Sequence, residues 1–162
     1  MPTHLDIAPP LFRQLMGRFA TGVTVITATH PELGAPRGMT ASSVASVSLT
    51  PPLLSVCVEQ EAALHDLLVQ SPIFAVNVLA EDQEELSRLF AGPQVASFDG
   101  VGYRTSERGL ILLDGAVAHI ECRRVGAHAA GDHTILLGGV IGGIAHDARP
   151  LLYFRGGYAS LG

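Results

Sequence analysis

Residues 116–144 read AVAHIECRRVGAHAAGDHTILLGGVIGGI, and the reading of this stretch decides the fold. Ala116, Ala118, Ile120 and Cys122 alternate with Val117, His119 and Glu121. A period of two sends successive side chains to opposite faces of a sheet, so a strand with one apolar face is predicted here. Residues 126–132 carry the chemistry of a hairpin turn, and residues 133–144 predict a long return strand. Gly138, Gly139, Gly142 and Gly143 interrupt that strand, where a missing Cβ permits a bend or a close backbone approach.

The same signals recur outward in both directions. Leu11, Phe12, Leu15, Met16 and Phe19 fall at helical spacing after Pro9-Pro10, which predicts an amphipathic helix ended by Gly22. Residues 23–28 are β-branched and predict a strand, followed by a turn-rich connector with Pro31, Gly34 and Pro36. The apolar run 53–58 predicts a short strand buried on both faces. Leu64, Leu67 and Leu68 mark a helix, and residues 73–79 return to strand character. Glu81, Asp82, Glu84 and Glu85 load the start of a further helix with acid, where the helix dipole favours it. Leu86, Leu89 and Phe90 form its buried stripe, residues 93–108 predict a long loop, and residues 151–154 a last strand. With no repeat or linker, residues 1–162 are expected to form a single domain. Roughly seven strands and a few peripheral helices predict a mainly β fold closed, or nearly closed, into a barrel.

Hydrophobic residues make up 48% of the chain and charged ones 15%, which argues against disorder and suggests that a second copy covers some apolar surface. The apolar runs are too short for a membrane span, and the N-terminus lacks the layout of a secretion signal, so a cytoplasmic protein is expected. A net charge of −5 without a basic cluster excludes the usual nucleic-acid footprint. Cys57 and Cys122 lie in apolar runs without a close His and read as small buried hydrophobes, so no metal site is predicted. All ten basic residues are Arg, so any phosphate must be met by Arg, hydroxyls or backbone N–H groups.

Residues 38–54, GMTASSVASVSLTPPLL, set Thr40, Ser42, Ser43, Ser46 and Ser48 among small apolar residues before a Pro-Pro stop. Hydroxyls that donate and accept, with little bulk around them, suit phosphate and the polar edge of a ring. The same residues also fit a polar strand edge and turn, and His133 alone also fits a plain strand opening. Arg88, one turn before Phe90, is a candidate phosphate partner or a solvated surface Arg. His65 and His146 read as surface residues. No Ser-His-Asp set, paired carboxylates or GxGxxG after a strand is present, which leaves chemistry carried by bound cofactors.

The segments FATGVTVITA, GMTASSVASVSLTPPLLSVCV, FAVNVL, LSRLFAG, GDHTILLGGV and PLLYFRGGY occur in this order, and together they resemble the flavin reductase family from Arg18 to Tyr158. The resemblance implies a six-stranded antiparallel Greek-key split barrel with a few peripheral helices, acting as a homodimer. It implies reduction of FMN or FAD by NADH or NADPH, with reduced flavin passed to a partner monooxygenase. By the same resemblance, Thr40, Ala41, Ser42 and Ser43 lie beside the ring edge and ribityl chain, with Ser46, Val47 and Ser48 next along the groove. Cys57, Val58 and Glu59 fall near the phosphate side, Phe90 and Ala91 near the outer ring edge, and Tyr158 closes the last motif. His133 matches the histidine that seats the nicotinamide. The chain departs from the family pattern at Val44, Gly139, Phe154 and Gly157, where an aromatic residue, Glu, His and a larger residue are common. These departures leave open a flavin-binding protein without turnover, acting in storage or sensing. A pyridoxine phosphate oxidase of related fold would want a basic phosphate pocket, which a chain without Lys and with scattered Arg does not offer.

Overall fold

The computed structural model describes residues 6–162. In chain order the elements are α1 (Pro9–Met16), β1 (Thr21–Gly22), β2 (Thr24–Thr29), β3 (Pro36–Ala41), β4 (Ala45–Leu49), β5 (Pro52–Glu59), α2 (His65–Gln70) and β6 (Ile73–Val78). There follow α3 (Glu84–Phe90), β7 (Tyr103–Thr105), β8 (Ile111–Leu113), β9 (Ala118–Ala130), β10 (His133–Ala145), β11 (Leu152–Phe154) and β12 (Gly157–Ala159). Seven strands make one antiparallel sheet in the order β3-β2-β6-β9-β10-β5-β4, one strand more than the family resemblance implies. The hydroxyl-rich segment supplies both β3 and β4, because it breaks at residues 42–44 and folds back onto β5.

The predicted hairpin is the long β9–β10 pair, but its turn is only Gly131-Asp132, since residues 126–130 already pair with β10. Register shifts fall at Leu137/Gly138 and Val140/Gly142, so the glycines do mark irregularities in the ladder. At Gly138 the reason is steric: a Cβ there would stand 2.7 Å from the Phe74 ring. Phe74 thus crosses the barrel interior, where it packs with Ile26, Val56, Val58, Val76 and Leu136, all fully buried. Burial of each such side chain contributes about 1.5–3 kcal/mol.

No ladder joins the edge strands β3 and β4 among the described residues, and one hydroxyl bridges the seam instead. Ser43 Oγ donates to the Cys57 carbonyl at 2.9 Å and accepts from the Cys57 N–H at 3.2 Å, which ties the β3–β4 corner to β5.

Several expectations change in the structure. β5 alternates between buried and partly exposed positions, so only one of its faces is in the core. The expected loop over 93–108 contains β7, which forms a separate hairpin with β8. That hairpin is pegged to the barrel by buried polar groups. Thr27 donates to the Ile111 carbonyl, Asn77 accepts from the Leu113 N–H at 2.8 Å, and His119 Nε2–H donates to the Leu113 carbonyl at 2.6 Å. The polar face of β9 is therefore buried, with His119 5% and Glu121 7% exposed. His65 is also largely covered, its Nε2 2.8 Å from Thr134 Oγ1. The helix α1 forms but stops at Met16 with Gly17 as its cap, so Phe19 lies beyond it and Gly22, expected to end it, belongs to β1; none of its residues is buried within the chain. Cys122 is fully buried, which pushes its thiol up to about 12, whereas Cys57 is only half-buried.

Candidate functional site

Three cavities join end to end along β3. The first, about 490 Å³, is lined by Gly38, Met39 and Thr40 of β3, Glu59 at the end of β5, residues 61–64, Phe90 at the end of α3 and residues 91–94 after it. The second, about 210 Å³, shares Thr40 and Ala91 with it and adds Val23, Ser42, Ser87, Tyr153 and Tyr158. The third, about 580 Å³, shares Ser42 and Tyr153 with the second and runs between α1 and the β11–β12 turn. There it meets Phe12, Arg13, Phe19, Phe154 and Arg155. Together they make one groove whose chambers fall near the size of ordinary ligand pockets, about 300–1,000 Å³.

The middle of the groove is held by hydroxyls. Thr40 Oγ1 donates to the Ser87 carbonyl at 2.7 Å, and Ser87 Oγ shares a hydrogen bond of 2.7 Å with Tyr158 Oη. These bonds fix α3 against β3 and β12. As an edge strand, β3 keeps one row of its backbone groups outside the ladder.

Of the sequence-derived candidates, Thr40, Ser42, Ser43, Glu59, Phe90, Ala91 and Tyr158 line the groove. Ala41 and Val58 turn into the core, leaving only their backbone to a ligand. Cys57 is half-buried, and its N–H and carbonyl are both taken by Ser43. Ser46 and Ser48 face a different cavity, and Val47 sits half-exposed at the β4 bulge and lines none of the chambers. Strand alternation and that bulge separate the hydroxyls that look contiguous in sequence.

His133 lies opposite Glu59 in the β5–β10 register, so the two share a sheet face, but only Glu59 lines the first chamber and His133 lines none of the three. Its Nδ1 stands 2.7 Å from Asp132 Oδ1, and this hydrogen bond holds the Asp132 carboxyl below the usual carboxylate range. With Nδ1–H donated to Asp132, Nε2 is left for a ligand.

The charges divide along the groove. The first chamber carries Glu59 and Glu61 and no Arg, whereas the third carries Arg13 and Arg155. An anionic group is therefore favoured at the Arg13–Arg155 end, not beside Glu59 as the resemblance implies. Arg88 lines no chamber: it pairs with Glu84 at 2.7 Å, which raises its already high pKa, and its guanidinium lies 4.9 Å over the Tyr158 ring. It braces Tyr158 from behind. Sequence reasoning missed Arg13, Arg155, Ser87, Tyr153 and residues 92–94. For Tyr153 and Arg155 the signal was available, since both stand inside the PLLYFRGGY segment.

Comparisons with known proteins bear on what such a groove holds. The flavin reductase like domain matches residues 16–162. An NADH-dependent FAD reductase of Streptomyces globisporus is 46% identical over 150 residues, covering 90% of this chain and 81% of its own. HsaB, the reductase subunit of a flavin-dependent monooxygenase of Mycobacterium tuberculosis, is 36% identical over 159 residues, covering 96% of this chain and 84% of its own. The solved structure of the NADH:FAD oxidoreductase SgcE6 of Streptomyces globisporus C-1027, in complex with NAD and FAD fragments, matches with a TM-score of 0.89 at 40% identity, covering 97% of each chain.

Proposed function

The chain belongs to the flavin reductase like domain family, and from that membership we propose how its groove serves the reaction. The protein is an NAD(P)H:flavin oxidoreductase that reduces FMN or FAD and supplies reduced flavin to a partner monooxygenase. The continuous groove along β3, aromatic at Phe90, hydroxyl-lined at its middle and cationic at its far end, carries the reading. These residues fit a flavin: an apolar wall for the ring, donors and acceptors for the ribityl chain, and two Arg for the phosphate. When bound, the flavin accepts a hydride equivalent from the reduced nicotinamide, chemistry that resides in the two cofactors.

The protein's part is positioning and exclusion of water. Phe90 and Gly38 wall the ring chamber, and the Thr40–Ser87–Tyr158 hydroxyls hold the walls in register. Ser42, exposed and without a hydrogen bond among the described residues, is free to meet the ribityl chain. Arg13 and Arg155 hold the phosphate. Asp132 orients the His133 ring so that Nε2 seats the nicotinamide, opposite Glu59 in the sheet. No side chain is needed as a general base.

The working unit in this reading is a homodimer. Leu11, Phe12, Leu15 and Met16 of α1 are 44–56% exposed and Phe19 71%, an apolar face that one chain leaves uncovered. A cytoplasmic location agrees with two unpaired cysteines, and no helix among the described residues is long and apolar enough to cross a membrane.

A steady-state assay crossing FMN, FAD and riboflavin with NADH and NADPH tests the function. Nicotinamide oxidation that depends on added flavin is expected. A protein that binds flavin yet leaves both nicotinamides unoxidised would be a carrier or sensor instead.

A further inference from the structure

The third chamber of the groove is larger and more aromatic than a phosphate needs. At about 580 Å³ it falls within the range of about 300–1,000 Å³ that holds a whole drug-sized ligand. Phe12, Phe19, Tyr153 and Phe154 stand in its wall, and its charged side chains are Arg13 and Arg155. Two cations account for a phosphate, but four rings answer nothing in a ribityl phosphate, which is polar throughout. Rings left 37–71% exposed, as these are, offer the planes on which a nucleobase stacks.

The β11–β12 turn fixes part of that wall. Arg155 holds its guanidinium 5.4 Å over the Phe154 ring, and Tyr153 packs edge-on against Tyr158 with centroids 5.5 Å apart. A guanidinium plane stacks on a base as an aromatic ring does, and it also attracts phosphate, so Arg155 suits both parts of a nucleotide. Across the chamber, Phe12, Arg13 and Met16 of α1 line it, whereas Leu11 and Leu15 line none of the three chambers. A second copy seated on Leu11 and Leu15 therefore need not fill it. No carboxylate side chain lines this chamber among the described residues, in contrast with Glu59 and Glu61 in the first, so phosphate groups are favoured at this end.

From this arrangement we infer that the groove selects FAD over FMN, with the pyrophosphate between Arg13 and Arg155 and the adenine stacked at Phe154. The preference rests on the flavin reductase reading above and names which flavin that site takes. Phe154 is then a specificity residue, because its ring meets the half of FAD that FMN lacks.

Isothermal titration of the full chain with FMN and with FAD, without nicotinamide, tests the preference. FAD binds about tenfold or more tighter than FMN, an effect the size of one stacked base. Phe154→Ala cuts the FAD-to-FMN affinity ratio by about fivefold or more, and Phe154→Tyr, which keeps a ring, retains it. Equal affinity for the two flavins, or a ratio that Phe154→Ala leaves unchanged, overturns the preference, while FMN-dependent NADH oxidation still upholds flavin reduction. So does a crystal with FAD in which the adenine lies outside the third chamber. Binding of neither flavin, with no NADH oxidation, overturns the preference and the reading beneath it together.

Discussion

Arg155 is the one non-glycine residue with a left-handed backbone among the described residues, at φ 54°. With Gly156 it makes the two-residue turn between β11 and β12, a geometry that Asn adopts with less strain. Evolutionary logic aside, the guanidinium is then held at the cationic end of the groove at a conformational cost. Arg155→Asn should keep stability within about 0.5 kcal/mol of the parent, or raise it. It should weaken FMN binding several-fold, read by denaturant midpoint and by fluorescence titration. An unchanged FMN affinity would remove Arg155 from the phosphate end. His133→Ala should raise the nicotinamide KM more than the flavin Kd, because His133 is paired with Glu59 and lines none of the groove's chambers. Equal losses in both would make His133 structural. Thr40, Ser42 and Tyr158 were legible from their motifs, since short hydroxyl side chains announce their chemistry. Arg13 was not, because only the packing of α1 beside the β11–β12 turn brings it to the groove.

At the scale of the element, the β7–β8 hairpin depends on a few buried polar pegs. Asn77 donates to the Val25 carbonyl and to Thr27 Oγ1, and accepts from the Leu113 N–H. Asn77→Ala leaves those partners unpaired in a fully buried place, so a loss of about 2–4 kcal/mol is expected in chemical denaturation. His119 adds a pH dependence with a definite sign. Burial lowers its pKa from the ordinary 6.5, ahead of the opposing hydrogen bond to Leu113. The unfolded chain therefore takes up the proton first, and stability present above the ordinary pKa is lost as pH falls through the window beneath it. The melting temperature should fall between about pH 7.5 and about pH 5.5, and His119→Gln should flatten that slope. An identical slope in the variant would assign the effect to another group. The hairpin escaped the sequence reading because three-residue strands carry too little periodicity to separate from loop. The β9–β10 pair was readable because long alternation and glycine punctuation agree, although its turn is tighter than the glycines suggested.

Across the whole molecule, the same apolar stripe that predicted α1 remains uncovered in one chain, which is why periodicity located the helix but not its partner. Light scattering should give twice the chain's mass, and Leu15→Glu should shift the population toward monomer. A monomer in the parent at micromolar concentration would contradict the dimer. The barrel and its family were legible from ordered motifs, whereas the course of the groove was not. It depends on which hydroxyls survive the break at residues 42–44, and Ser46 and Ser48 end on another surface. A crystal structure with FMN bound is the most direct measurement of the central claim. The ring is expected against Phe90 with the ribityl chain passing Thr40, Ser42 and Tyr158 and the phosphate toward Arg13 and Arg155. Electron density for FMN on any other surface would contradict it.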